Sequence, residues 1–341
     1  MSDQKIKNME DFAAVSGLSR PTVSKYFNDP TSVRSSTRDR IEAALAKYDF
    51  HPNIYAMNQN RKLTNNVGIV VPYLSDPVFA ELARKVEEYC ILEGFRPTLF
   101  SAHGQPHLEV EILDGLRSLK PSGVLIAPLG RTPNRAAIEK FCKDVPTVLF
   151  DSFLPDTGLG FAGSNNPQFA HLIVDYLCRT GEHPSFLEMR TPANPNANRR
   201  RQAYIEAMEN LGFEPSIVKI DGEGWAFEEI GRSGGGKALL EKQFATNTIL
   251  CSNDRLAIGF LTACYENQLR VGRGPGCDIR VAGMDDHPFS RFTCPPLTTV
   301  AQDFEAVAKE AVSILVASIE GREISKPSTF FDGQLVMRES A

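Results

Sequence analysis

Four short apolar runs in this chain each hand over to polar side chains. VGIVVP (67–72) is followed by Tyr73, Ser75 and Asp76, and Val148-Leu149-Phe150 by Asp151 and Ser152. Ile249-Leu250-Cys251 leads to Asn253 and Asp254, and Val281-Ala282-Gly283-Met284 to Asp285 and Asp286. Carboxylates accept and amides both accept and donate, so such a set suits a ligand rich in hydroxyl groups. A different chemistry stands near the N-terminus, in GLSRPTVSKYFND (17–29). There Arg20 and Lys25 offer donors for guanine or phosphate, and Ser19, Thr22 and Ser24 offer hydroxyls for phosphates.

Signatures of catalysis are missing. A nicotinamide enzyme needs Gly-x-Gly-x-x-Gly directly after its first strand, and here YLSDP follows VGIVVP. GRSGGG (231–236) and GRGPG (272–276) read as a turn or a flexible helix edge. There is no Gly-x-Ser-x-Gly, His-Glu-x-x-His or P-loop, and the six histidines lack ligand spacing. The seven cysteines form no Cys-x-x-Cys pair, so neither zinc nor a disulfide framework is indicated. The expectation is a non-enzyme with no cofactor and no metal, in a reducing cytoplasm.

The elements that position these groups fall into two kinds. With 341 residues the chain suggests two or three domains, and 42% apolar and 23% charged residues fit a soluble protein. No apolar run reaches the ~18–20 residues of a membrane span, and MSDQKIKNMEDF lacks the apolar core of a signal peptide. Residues 1–62 hold ten Lys/Arg against seven Asp/Glu, whereas the remainder carries a net charge of −8. That contrast suits a small polyanion-binding module on an acidic body.

Within the module, Met9, Phe12, Ala13 and Val15 mark one helix face, and Gly17 ends that helix. Ser19 caps a second helix with Pro21 in its first turn, and Asn28-Asp29-Pro30 stops it. Helix, short turn with glycine, helix is the helix-turn-helix pattern, whose second helix enters the major groove. A third helix, Ser36 to Tyr48, closes the bundle through Ile41, Ala44, Leu45 and Tyr48. From residue 66 short apolar strands alternate with amphipathic helices in two successive runs. This predicts an α/β class with two doubly wound parallel-sheet subdomains. Ligands in such sheets bind beyond the strand C-termini, where Tyr73, Asp76, Asp151, Asn253 and Asp285 stand.

The run MEDFAAVSGLSRPTVSKYFNDPTSVRSSTRDRIEAALAKYDFHPN resembles the DNA-binding domain of the LacI/GalR family of bacterial transcription regulators. The likeness lies in Ser16-Gly17-Leu18-Ser19, Thr22-Val23-Ser24, Asn28, Val33, Thr37-Arg38 and Pro52-Asn53. The remainder resembles the periplasmic-binding-protein type I fold of the family's effector domain, through Asn253-Asp254, Gly283-Met284-Asp285-Asp286 and Pro295-Pro296-Leu297-Thr298-Thr299-Val300 with Gln302. The resemblance implies a homodimer on a pseudo-palindromic operator, its affinity switched by a small effector. By position it makes Arg20, Pro21 and Lys25 the base readers; proline there can offer only apolar contact. It makes FHPNIYAMNQNRK (50–62) a hinge helix for the operator's minor groove, with Asn53, Met57 and Gln59 as DNA contacts. Gln59 stands where the family has a leucine wedge, and an ordinary linker is the plainer reading of the segment. An Ala-Tyr pair after Arg200 likens that arginine to the effector arginine.

The fold so implied brings Arg200 and Trp225 to the cleft from the second subdomain and Gln302 from a crossover. Trp225 is either a plate for an apolar sugar face or a half-buried surface aromatic. Asn253 can cap its helix and bind ligand at once. The expected organisation is a helix-turn-helix domain at 1–50, a hinge at 51–62 and an effector and dimerisation domain at 63–341. The first subdomain takes about 63–162 and 303–326, the second about 163–291 and 327–341. The reading is a repressor of carbohydrate-use genes under allosteric control by a sugar or sugar derivative. The alternatives are a solute-binding protein without a DNA role, or a purine-responsive regulator of the same fold. LVMRESA after the last strand leaves no zipper-like tail, so a dimer is expected over a tetramer.

Overall fold

The computed structural model describes residues 6, 8–50, 64–129, 134–324 and 328–341. They divide into a small unit ending at Thr64 and a larger one over Asn65–Ala341. In the small unit, α1 (Met9–Ser16) and α2 (Arg20–Asn28) flank a tight turn, and α3 (Ser35–Tyr48) completes the bundle. Asn8 accepts from the Asp11 N–H to start α1, and Gly17 ends it at φ +65°, where a side chain is strained. Arg40 then donates to the Ser16 and Gly17 carbonyls, satisfying acceptors that the helix end leaves open. Ser19 accepts from the Thr22 N–H at 3.3 Å and so begins α2. Phe12, Val23, Tyr26, Ile41 and Phe50 form the core, with Phe12 and Phe50 stacked at 4.7 Å. Val15 and Tyr48, both expected on core faces, lie exposed at the rim instead. Three short helices enclose too little volume to cover every apolar residue.

The larger unit holds two parallel sheets, each between helical layers. The first runs β11-β5-β4-β3-β1-β2, and the second β7-β6-β8-β9. In the first sheet these are β1 (Asn66–Val71), β2 (Arg96–Ser101), β3 (Gly123–Ile126), β4 (Thr147–Phe150), β5 (Gly160–Ser164) and β11 (Ser328–Phe331). In the second they are β6 (Ser185–Met189), β7 (Ser216–Ile220), β8 (Thr248–Cys251) and β9 (Arg280–Ala282). The central strands are buried throughout, as strands covered on both faces must be. Helices α4 (Pro77–Leu92) and α11 (Phe304–Ile319) pack on one face of the first sheet, and α5 (Pro106–Leu119) and α6 (Arg135–Cys142) on the other. The second sheet has α7 (Asn166–Thr180) and α8 (Asn196–Asn210) on one face, α9 (Phe227–Leu240) and α10 (Asp254–Glu266) on the other. No helix among the described residues is long and apolar enough to cross a membrane.

Two features of the larger unit differ from the sequence reading. The glycines of 231–236 are neither a turn nor a helix edge; they lie within α9. A Cβ at Gly231 would run into the Leu256 carbonyl, and one at Gly259 of α10 into the Glu228 carbonyl. Glycine there lets two helix backbones meet, which outweighs the ~1 kcal/mol per residue that glycine costs in a helix. The second difference is β11. The boundary expected at 326 falls after Phe331, because Ser328–Phe331 pairs with β5 in the first sheet. The chain then crosses for the last time and β12 (Gln334–Val336) pairs antiparallel with β10 (Thr299–Ala301). The three crossings lie side by side: Ser164 donates to Gln302 at 2.5 Å, and Asn165 to Asp332 at 2.7 Å.

Candidate functional site

On the small unit, Ser19, Arg20, Pro21 and Lys25 are exposed, while Thr22 and Ser24 are half-buried. Positions 21 and 25 lie one turn apart on α2 and share a face. The Arg20 Nε sits 2.6 Å from Glu10 on α1, an exposed pair. Such a pair contributes at most about 1 kcal/mol, little enough for a DNA base to displace. Ser19 also faces the Thr22 hydroxyl at 2.8 Å. The hinge positions Asn53, Met57 and Gln59 lie outside the described residues.

On the larger unit, the ends of β1, β4, β6, β8 and β9 open on one cavity of about 60 Å³ between the sheets. Asp76, Asp151, Arg200, Trp225, Asn253, Asp285 and Gln302 line it. Tyr73 is one step back, stacked on Trp225 at 5.5 Å between ring centroids. Arg200 enters from the first turns of α8 and is held at all three nitrogens. Its Nη2 lies 2.5 Å from Asp285 Oδ1, its Nε 2.7 Å from Asn166 Oδ1, and its Nη1 2.9 Å from the Ser252 carbonyl. Gln302 donates to the same Asp285 oxygen at 2.7 Å, tying the crossover to the site. Asn253 accepts from the Leu256 N–H at the start of α10, the capping role expected of it.

Contacts from the first subdomain meet those of the second across this cavity. Asp76 caps α4 through the Val78 N–H and accepts from Arg255 of α10 at 3.0 Å. Arg255 also grips Glu228 of α9 through two nitrogens, at 2.6 and 2.7 Å. Asp151 takes hydrogen bonds from Asn194 at 3.2 Å and Asn196 at 3.3 Å. Trp225 fills the space left by Gly104, where a Cβ would collide with its indole.

Burial dominates the electrostatics. It raises the Asp151 carboxyl to about 6, against the hydrogen bonds of Asn194 and Ser152. It raises Asp76 likewise, although Arg255 pulls the other way. Asp254, fully buried, is pushed to about 7 by burial and by the nearby Asp285. It points away from the cavity and holds the Ser290 and Thr299 hydroxyls at 2.6 Å each. Asp151, Asp285 and Asp286 all have positive φ, at +59°, +141° and +51°. Such backbones cost about 1–3 kcal/mol each and persist where packing over-determines them.

Asn194, Asn196 and Arg255 were not foreseen. Asn194 and Asn196 follow β6, so the strand-end rule could have reached them, but a loop of polar residues hides which side chains turn inward. Arg255 lies two residues beyond Asn253 and reads as an ordinary helix arginine. Of Arg199-Arg200-Arg201, Arg201 turns to buried Glu188 and Arg199 lies over the Phe153 ring at 5.2 Å.

Fold and cleft together define a ligand-binding α/β protein that carries a helix-turn-helix unit. Residues 8–53 match the family described as bacterial regulatory proteins, lacI family, and residues 174–341 match a periplasmic binding protein-like domain. The chain thus joins a LacI-family DNA-binding domain at residues 8–53 to a periplasmic binding protein-like domain. Over 97% of its length it is 27% identical to the HTH-type transcriptional repressor CytR of Escherichia coli K12, covering 95% of that protein. It is 26% identical to the HTH-type transcriptional repressor PurR of Histophilus somni 2336, over 97% of this chain and 98% of the other. The crystal structure of the lac repressor dimer bound to operator and the anti-inducer ONPF shares the fold. Its TM-score is 0.84 at 24% identity, covering 98% of this chain and 99% of that one.

Proposed function

We propose that this DNA-binding repressor acts as a homodimer on a pseudo-palindromic operator in the cytoplasm, governs carbohydrate-use genes, and responds to a sugar or sugar derivative held in the cleft. The observation that carries the reading is the Arg200–Asp285–Gln302 array facing the Tyr73–Trp225 stack across one cavity. A carboxylate held by an arginine keeps lone pairs for ligand hydroxyls, while Asn253 and Asn194 supply amides. The indole suits the C–H face of a pyranose or furanose. Effector contacts then change the balance of the cross-cleft bonds of Asp76, Asp151 and Trp225. The effector acts only by its differential affinity for the two arrangements of the subdomains. Relatives that are repressors support a non-enzymatic role.

One observation favours a purine instead: Tyr73, Phe79, Trp225 and Phe227 form a continuous aromatic wall. The test follows operator binding by the full chain and by a chain lacking residues 1–62, with and without a panel of sugars, nucleosides and bases. Loss of DNA binding with retained ligand binding in the shortened chain supports the division of labour. Asp285→Ala should abolish the effector response while operator binding stays measurable. A nucleobase as the best ligand would refute the sugar assignment.

A further inference from the structure

The charges around the cleft restrict what can enter it. Two guanidinium groups line it, Arg200 and Arg255, against three carboxylates, Asp76, Asp151 and Asp285. Both guanidiniums are engaged. Arg200 has Asp285, Asn166 and the Ser252 carbonyl on its three nitrogens. Arg255 has Asp76 on one side and a two-pronged Glu228 on the other. Their side chains are only 7% and 12% exposed, so little of either faces the cavity unspent. The carboxylates are less committed. Asp151 forms no ion pair among the described residues; its partners are the neutral donors Ser152, Asn194 and Asn196.

Helix N-termini are the other ready source of anion binding; those of α4 and α10 are closed from within, the first N–H of α8 goes to Asn194, and α9, which has no side-chain cap, begins with the acidic Glu228 and Glu229. Asp76 takes the Val78 N–H at the start of α4, and its negative charge already occupies that dipole end. Asn253 takes the Leu256 N–H at the start of α10.

We infer that the effector of this cleft is an uncharged, hydroxyl-rich molecule, and that its phosphorylated and carboxylated counterparts are excluded. The inference rests on the reading of this cavity as the effector site. A phosphate brings about −1.5 to −2 charges. Among the described residues it would meet three carboxylates in one small cavity and no free cation. To reach either arginine it must displace a carboxylate and leave that group buried without its partner. A hydroxyl meets no such barrier, because it donates to the carboxylates and accepts from the amides.

The test compares pairs that differ only in phosphate: ribose and ribose 5-phosphate, glucose and glucose 6-phosphate, adenosine and its 5′-monophosphate. Inorganic phosphate and sulfate are titrated alone. Trp225 is the chain's only tryptophan, so its emission reports on the cleft of the full chain. In every pair that binds, the unphosphorylated member should be tighter by about 100-fold or more, the size of a juxtaposed like charge. Millimolar phosphate or sulfate should shift Trp225 emission no more than chloride of equal ionic strength. This arm decides even where no organic compound binds. Asp76→Asn leaves Arg255 with Glu228 alone and should raise phosphate affinity at the cleft by about 10-fold; Asp285→Asn asks the same of Arg200. Tighter binding of a phosphorylated member overturns the inference, as does a wild-type Trp225 response to inorganic phosphate that Arg255→Ala removes. Adenosine binding where no sugar does would defeat the sugar assignment and leave the charge inference standing. Ribose 5-phosphate binding above ribose would do the reverse.

Discussion

Asp285 carries a buried ion pair on a backbone that favours glycine, and three substitutions separate the two effects. Its pair with Arg200 has side-chain exposures of 12% and 7%. Removing one partner of a buried pair costs about 3–5 kcal/mol. Arg200 keeps Asn166 and the Ser252 carbonyl, so the lower end, about 3 kcal/mol, applies to Asp285→Ala. Asp285→Gly loses the same carboxylate but relieves the strain at φ +141°, about 1–3 kcal/mol. It gives back about 0.5–1 kcal/mol through the freer unfolded chain, so it should be about 1 kcal/mol more stable than alanine. Asp285→Asn keeps an oxygen for Arg200 and Gln302 and should cost least. For a large domain 1 kcal/mol moves Tm by about 2 °C. The expected order is wild type, Asn, Gly, Ala, with alanine lower by about 6 °C. Thermal unfolding of the full chain without ligand, read by Trp225 emission, follows the larger unit alone. Alanine as stable as wild type, or glycine below alanine, would refute the reasoning.

Three further outcomes can be measured. Arg20→Ala and Lys25→Ala should each cost about 1–3 kcal/mol in operator binding at the base they read, and Glu10→Gln, by removing a negative charge beside Arg20, should tighten non-specific DNA binding at low salt; titrations at several salt concentrations check both. Gly259→Ala places a methyl against the Glu228 carbonyl and should destabilise by about 1–3 kcal/mol or more through overpacking; an unchanged Tm would mean that α9 and α10 part freely. Asp151 is raised from 3.8 to about 6 in the folded chain, so the fold binds its proton more tightly than the unfolded chain does. Its contribution, up to about 3 kcal/mol, is complete below pH 4 and lost as pH rises through 6. Asp151→Asn should flatten the fall of Tm over that window, and an identical pH profile would count against it.

Strong local patterns were legible in the sequence. The runs at 67–71, 124–126 and 249–251 are short and apolar throughout, the pattern of a strand covered on both faces. The cleft residues at β1, β4, β8 and β9 followed from where those strands stop. What escaped detection depends on distant partners. β5 is GFAGS, with two glycines, and β11 alternates exposed and half-buried residues. β11 is a strand because of β5, across some 165 residues of chain, and β5 lies between β11 and β4. The glycines of α9 looked like a break because their partner, the α10 backbone, is invisible locally. Asn194 and Asn196 became site residues only through Asp151, which the sequence leaves more than 40 positions away.

The three adjacent crossings set the mechanics of the larger unit. Ser164, Asn165, Gln302 and Asp332 lace them together by side-chain hydrogen bonds. A single connecting strand would let two bodies swivel, twist and slide in any combination. Three laced side by side behave as a flat flexure: bending is easy about the line joining them, while sliding and twisting strain all three at once. The subdomains therefore have close to one degree of freedom. Gln302 touches both the flexure and Asp285, so a ligand held by Asp285 would act on that single coordinate at its pivot, where a small displacement becomes a large excursion at the far edges of the sheets.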